Sequence, residues 1–179
     1  PKSMRSQSHY VEPDSDQKAY YLLEQPEAYP GLCKREEGDR QFLLLQYPTF
    51  EPYASWSLFK AGQSYWVRRV EWDRSKSIPF HETDPYTYGC EAQCANTFAA
   101  ETVATLSSLE FRPLIRRNSI GLDGTTYGIS VGTYMQSCDL RWWCQPQEEW
   151  IELAQWFRKT VVAFEELLPL DSPVFETCS

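Results

Sequence analysis

The chain has 179 residues, of which 42% are apolar and 15% aromatic, and its formal net charge is −8. A chain of this length can bury a core without a metal or a disulfide, and its negative field disfavours nucleic acid as a partner. It has no apolar run of the length that spans a membrane. The composition therefore predicts a soluble domain that binds neither nucleic acid nor membrane.

The N-terminal segment and the cysteines bear on domain organisation and compartment. Residues 1–13 are polar, lack periodicity and do not read as a signal peptide, so we expect a mobile arm ahead of one domain over residues 14–179. The six cysteines are at positions 33, 90, 94, 138, 144 and 178. Because nothing here indicates secretion, we expect six reduced thiols, a cytoplasmic protein and no cofactor.

Hydrophobic periodicity divides the chain into helices and strands. The apolar run Phe42–Leu45 predicts a strand covered on both faces, because such a strand needs no polar side. The patterns predict, in chain order, a helix over Gln17–Glu24, strands over Gln41–Tyr47, Tyr53–Lys60 and Tyr65–Asp73, a loop over Asp73–Tyr88, a helix over Glu91–Leu109, a second hairpin with strands around Tyr127–Val131 and Cys138–Cys144, and a helix over Pro146–Leu168. The fold class is therefore α+β, an antiparallel sheet of about five strands packed by the two main helices, 91–109 and 146–168.

The most motif-like tetrapeptide is Asp123-Gly124-Thr125-Thr126. An Asp-Gly step supplies a tight bend, and threonines are typical of the start of a strand. A carboxylate presented for chemistry is the alternative. The pattern favours a turn in which the Asp123 side chain accepts from nearby backbone N–H groups.

The segment Arg141-Trp142-Trp143 places adjacent indoles on opposite faces of a strand. One indole should lie in the core against the final helix. The other is either an exposed anchor beside Arg141, since Trp and Arg dominate interface hot spots, or is covered by a helix or by the N-terminal arm. The candidate binding residues are Arg141, Trp142, Trp143, Asp139 and Trp72.

Two groups of residues are candidates for a metal site. Cys90 and Cys94 stand four apart, which on a helix brings two thiolates toward one ion, but buried thiols are more common than ligands. Glu71, Asp73 and Asp139 lack the lysine or second acid that a metal nuclease needs at close spacing. We therefore predict no metal site.

The C-terminal third of the chain carries a resemblance to known proteins. The residues that match are Asp123, Gly124, Thr125, Tyr127, Trp142, Trp143 and Pro146. With the order of elements from Gln41 onward, they resemble a loose group of uncharacterised small bacterial α+β proteins with an Asp-Gly-Thr strand, an aromatic strand and a C-terminal amphipathic helix. Some members look like immunity or accessory proteins. The resemblance implies the fold and supplies no activity.

Three functions are consistent with the sequence. The first is a non-catalytic recognition module, acidic and rich in aromatic residues, for a protein partner with a basic surface. The second is a small-molecule-binding protein or enzyme with an aromatic-lined pocket around His81, Glu82, Arg141 and Asp139. The third is a structural subunit of a homodimer that pairs through an exposed strand such as Tyr53–Lys60. No coherent catalytic set is present, so the first is the leading hypothesis.

Overall fold

The computed structural model describes residues 14–76, 84–112, 123–133 and 135–169. The strands are Arg40–Pro48 (β1), Tyr53–Ala61 (β2), Ser64–Trp72 (β3), Thr87–Cys94 (β4), Thr125–Thr133 (β5) and Gln136–Trp143 (β6), and the helices are Ser15–Glu24 (α1), Asn96–Ser108 (α2) and Ile151–Leu167 (α3). The strands form one antiparallel sheet in the order β4-β3-β2-β1-β5-β6. The predicted α+β class is confirmed, and the described residues form six strands and three helices in place of about five and two.

Strand β1 lies in the middle of the sheet and is buried on both sides, as its apolar run predicts. Phe42 and Leu44 face one side, Leu43 and Leu45 face the other, and none is more than 4% exposed. Burial of each such side chain contributes roughly 1.5–3 kcal/mol. The sheet therefore separates two cores, one on each face.

The main core lies between the sheet and helices α2 and α3. The apolar stripe of α3 packs there as predicted, with Leu153, Phe157 and Phe164 buried. Phe42 of β1 stacks on Phe164 with 6.0 Å between ring centroids. The helix itself begins at Ile151, after a 3₁₀ turn over Glu148–Trp150, and not at Pro146.

Helix α1 covers part of the opposite face. Asp14 caps it by accepting a 2.7 Å hydrogen bond from the Gln17 backbone N–H, which satisfies one of the free donors at a helix start. Ala19 and Leu23 are fully buried in a second cluster that includes Val70 and Trp72 of β3. The two apolar faces of the sheet are thus covered by different parts of the chain.

The connection between α1 and β1 is held by a buried charge network centred on Arg68 of β3. The Arg68 guanidinium donates to the carbonyls of Pro26 and Cys33, each at 2.5 Å, and pairs with Glu91 of β4 at 2.7 Å. Arg35 pairs with the same carboxylate. This network fixes the connecting segment, and with it the position of α1.

The start of the predicted helix Glu91–Leu109 is wrong. Residues 91–94 belong to β4, and the helix begins at Asn96. Cys90 and Cys94 are therefore four residues apart along a strand, a separation of about 13 Å. Their thiols cannot share one ion, and both are buried, which raises the pKa of each.

The cysteines do not all match the prediction. Cys33 is disulfide-bonded, which contradicts six reduced thiols, whereas Cys90, Cys94, Cys138 and Cys144 are free. The cytoplasmic compartment was inferred from reduced thiols and stays a prediction. In the described parts of the chain, no helix combines the length and apolar character that crossing a membrane requires.

The strand proposed for homodimer pairing is not an edge. β2 lies between β1 and β3 and is hydrogen-bonded on both sides, so Tyr53–Lys60 cannot pair with a second chain. The edges of the described sheet are β4 and β6. The predicted N-terminal arm and the pair His81 and Glu82 lie outside the described residues.

Candidate functional site

A pocket of about 480 Å³ opens on the face of the sheet that carries α1, beside the C-terminal part of that helix. Its walls come from one helix, four strand ends and the turns between them. The residues that line it are Tyr20, Glu24, Tyr47, Thr49, Tyr53, Arg74, Gly124, Thr126, Arg141 and Trp143. A volume in this range is typical of pockets for small ligands.

Strand register explains why the floor of the pocket has its composition. Tyr47, Thr126 and Trp143 are paired across β1, β5 and β6, so their side chains form one row on the same face. The next row consists of Leu45, Gly128 and Arg141. A Cβ on Gly128 would lie 3.2 Å from Leu45 Cβ and 3.6 Å from Arg141 Cγ. The glycine therefore leaves room for the Arg141 side chain beside the apolar floor.

Three tyrosines form an aromatic wall. The rings of Tyr47 and Tyr53 are stacked with their centroids 4.7 Å apart, and Tyr20 meets Tyr47 edge-on at 5.8 Å. Burial raises the pKa of both Tyr20 and Tyr47, because the phenolate form loses hydration. These side chains are neutral phenols at physiological pH, with hydroxyl groups that can donate.

Two arginines and one carboxylate give the lining its charge. Arg74 lies over the Tyr53 ring, 4.0 Å from its centroid, and its Nη2 donates to the carbonyls of Thr49 at 2.5 Å and Pro48 at 3.2 Å. Arg141 pairs with Glu24 at 2.8 Å, and that carboxylate also accepts from the Tyr47 hydroxyl at 3.4 Å.

The two arginines differ in how far their charge is neutralised. Within the described residues, no carboxylate approaches Arg74 to within 4.0 Å, whereas Arg141 has Glu24. Among the described residues of the lining, two positive groups and one negative group leave a surplus of one positive charge. That surplus contrasts with the net charge of −8 of the whole chain.

The Asp-Gly-Thr-Thr segment builds one side of the pocket. It bends at Asp123 and enters β5 at Thr125, as predicted. Gly124 ties the segment to Thr49: its backbone N–H donates to Thr49 Oγ1 at 3.0 Å, and its carbonyl accepts from the Thr49 N–H at 2.9 Å. A Cβ on Gly124 would lie 2.7 Å from the Trp143 ring and 2.1 Å from Cys144 Sγ. The glycine is needed for this close approach.

The predicted binding residues separate into two groups. Arg141 and Trp143 line the pocket. Trp142 points to the opposite face, is 8% exposed, and stacks on Tyr127 with 5.5 Å between centroids. Trp72 is buried beneath the aromatic wall, 5.4 Å from Tyr20 and 5.6 Å from Tyr53. Asp139 is exposed on β6 and does not line the pocket.

The residues considered for metal chemistry do not come together. Glu71 lies on β3 and Asp139 on β6, which are four strand spacings apart, about 19 Å. Asp73 pairs instead with Lys76 at 3.2 Å and accepts from Ser75. Over the ranges that the structure describes, no three His, Cys, Asp or Glu side chains form a group able to hold an ion.

Comparison with known proteins gives no relative, since no protein family, curated protein or solved structure matches the chain. The function is therefore argued from the pocket itself.

Proposed function

We propose that the protein is a binding protein that holds a ligand in the pocket between α1 and the end of the sheet, without chemical turnover. The observation on which this rests is an open pocket lined by four aromatic rings together with polar side chains, with a surplus positive charge among its described residues. Sites for small ligands combine aromatic and apolar surface with a few oriented polar groups.

The polar groups of the pocket favour binding over catalysis. Among the described residues of the lining, Glu24 is the carboxylate, and its Oε1 accepts from both Arg141 and the Tyr47 hydroxyl. The described lining contains no histidine or cysteine, the side chains that most often serve as general base or nucleophile. Tyr20 and Tyr47 have raised pKa values and are neutral phenols, hence poor bases, at neutral pH. What remains are hydrogen-bond donors and ring faces, which orient a ligand.

This proposal puts the small-ligand hypothesis ahead of a protein partner with a basic surface. A surplus positive charge in the lining repels lysine and arginine side chains, so a basic partner would have to bind elsewhere on the acidic surface. One observation favours a protein partner at the pocket itself. Phe50, next to the pocket residue Thr49, is 82% exposed, and a partner's chain that entered the pocket would cover it.

The proposal is tested by a thermal-shift screen of neutral, cationic and anionic aromatic compounds against the full chain. A ligand present at about a hundred times its Kd stabilises the folded state by about 2.7 kcal/mol, which raises the Tm by several degrees. Thr126→Trp would fill the floor of the pocket. Ser130→Trp places the same side chain further along β5, outside the lining, and is the matched control.

We expect compounds that stabilise the wild type to lose their effect on Thr126→Trp and to keep it on Ser130→Trp. If no compound raises the Tm of the wild type, or if the effects persist in Thr126→Trp, the pocket is not a ligand site.

A further inference from the structure

We propose that the ligand is a flat aromatic group bearing a single carboxylate, with the carboxylate at Arg74 and the ring against the tyrosine wall. This inference rests on the proposed function, because it assigns the ligand class of the same pocket. The juxtaposition on which it depends is a guanidinium that no carboxylate of the described residues neutralises, lying over Tyr53, in a pocket lined in part by aromatic rings.

Arg74 is prepared to receive an anion. Its guanidinium is held flat by the Tyr53 ring and by the carbonyls of Pro48 and Thr49, so little side-chain entropy remains to be lost on binding. These carbonyl oxygens accept hydrogen bonds from the guanidinium but, being uncharged, do not neutralise its positive charge. In addition, Arg74 Nε is buried and has no acceptor within the described residues. A carboxylate would supply the missing negative charge.

Arg141 is the weaker attraction for an anion. Its charge is already paired with Glu24 at 2.8 Å, and its side chain is 53% exposed, so solvent screens it. Glu24 moreover places a negative charge in the lining that opposes a ligand anion. Removal of that negative charge should therefore strengthen anion binding, which is the opposite of the effect expected at Arg74.

The aromatic part of the ligand is inferred from the aromatic side chains that line the pocket. Aromatic surface from Tyr20, Tyr47, Tyr53 and Trp143 borders a space of about 480 Å³. Offset and edge-on contacts between rings favour a ligand that is itself aromatic. A single charge on the ligand matches the surplus of one on the lining. A ligand with several negative charges would be repelled by the chain, whose net charge is −8.

The test uses isothermal titration of the full chain with three probes of one shape: indole-3-acetate, its neutral amide, and the cation tryptamine. Because a hydrogen bond to a charged group contributes about 1.5–3 kcal/mol, we expect the acid to bind at least about tenfold more tightly than the amide. Tryptamine should bind most weakly. Sodium acetate alone should not bind measurably, since it lacks the ring.

Three substitutions locate the anion. Arg74→Gln should abolish the preference for the acid over the amide, and Glu24→Gln should increase affinity for the acid several-fold. Arg158→Gln removes the same charge from an exposed site on α3 and should change neither, which controls for net charge. If Arg74→Gln does not fold, Arg74→Lys and Glu24→Gln still test the assignment. Lysine preserves the positive charge but lacks the planar guanidinium that binds a carboxylate through two hydrogen bonds.

The outcomes separate this inference from the proposed function. Equal binding of acid and amide, or a preference that survives in Arg74→Gln, overturns the anion assignment while the pocket remains a ligand site. No binding by any of the three probes, together with an empty thermal-shift screen, overturns both. A peptide that ends in Trp with a free carboxylate, compared with the same peptide amidated, distinguishes a partner's C-terminus from a free small acid as the source of the group.

Discussion

The adjacent tryptophans of β6 show how strand alternation gives neighbouring residues different roles. Trp142 lies in the main core, where it stacks on Tyr127 and meets Phe157 edge-on at 5.6 Å. Trp143 lies on the other face and lines the pocket. Two identical side chains, one residue apart, therefore differ in what their removal does.

We expect Trp142→Ala to lower the free energy of unfolding by about 3–5 kcal/mol, because a large core side chain leaves a cavity. Trp143→Ala should cost about 1–2 kcal/mol, since its side chain is only partly buried, yet it should abolish ligand binding. Urea denaturation gives the first quantity and titration of the ligand gives the second. Equal destabilisation by both substitutions would contradict the division of roles.

Only part of the pocket could be anticipated residue by residue. Arg141 and Trp143 stand out in the sequence because they are neighbours of unusual type on one strand. Tyr20, Glu24 and Arg74 lie up to 123 positions from Trp143 along the chain and meet it only through the strand order, which periodicity does not encode. The bend at Asp123-Gly124 was readable, but its contact with Thr49 depends on β5 lying next to β1.

At the level of elements, β4 illustrates where a sequence pattern misleads. Residues 88, 90, 92 and 94 are apolar in alternation with polar or small residues, which is a strand pattern. Cys94 and the apolar residues Phe98, Val103, Leu106 and Leu109 also fit a helical stripe, and the helix α2 begins only two residues after β4 ends. Because the two elements are so close, the sequence pattern predicts a single helix across both. The predicted sheet therefore lacks β4 and has about five strands.

The segment that joins α1 to β1 contains a second buried charge, and its titration can be measured. Glu27 is 6% exposed and lies 2.8 Å from Arg40, but its oxygens have no hydrogen-bond partner within the described structure. Burial therefore outweighs the attraction of Arg40 and raises the pKa of Glu27 above its usual value of 4.5. The folded state binds this proton more tightly than the unfolded state does.

Because folding raises the pKa of Glu27, we expect its protonated form to contribute stability at pH values below 4.5. That contribution is lost as the pH rises through the raised pKa of the folded state. Glu27→Gln remains neutral throughout. The free energy of unfolding of the wild type relative to Glu27→Gln should therefore decrease as the pH rises, as measured by urea denaturation between about pH 3.5 and 7.5. Glu101→Gln, on the exposed side of α2, is the control. A difference between wild type and Glu27→Gln that increases with pH would show that the pairing with Arg40 dominates.

At the scale of the whole molecule, the question is whether the two layers on the sheet fold as one unit. The main core contains α2 and α3, and the second cluster contains α1. They share no helix, but they share the strands between them, since β1 is buried on both faces and Arg68 and Val67 of β3 point to opposite sides. Loss of either layer would expose one apolar face of those strands, so each layer stabilises the strands on which the other packs.

We therefore expect the matched substitutions Leu23→Ala in α1 and Leu153→Ala in α3 to act on one cooperative transition. Both leucines are almost fully buried, one in each layer, and each substitution should lower the free energy of unfolding by about 2–5 kcal/mol. Urea denaturation followed by tryptophan fluorescence and by far-ultraviolet circular dichroism should give coincident transitions in both variants.

If α1 were a separate unit, Leu23→Ala would produce an early additional transition and leave the midpoint of the main one unchanged. The pocket would then be lost before the sheet unfolds, because α1 supplies Tyr20 and Glu24, and bound ligand would shift only the early transition. A ligand that shifts the whole transition in the wild type is the result expected of a single unit.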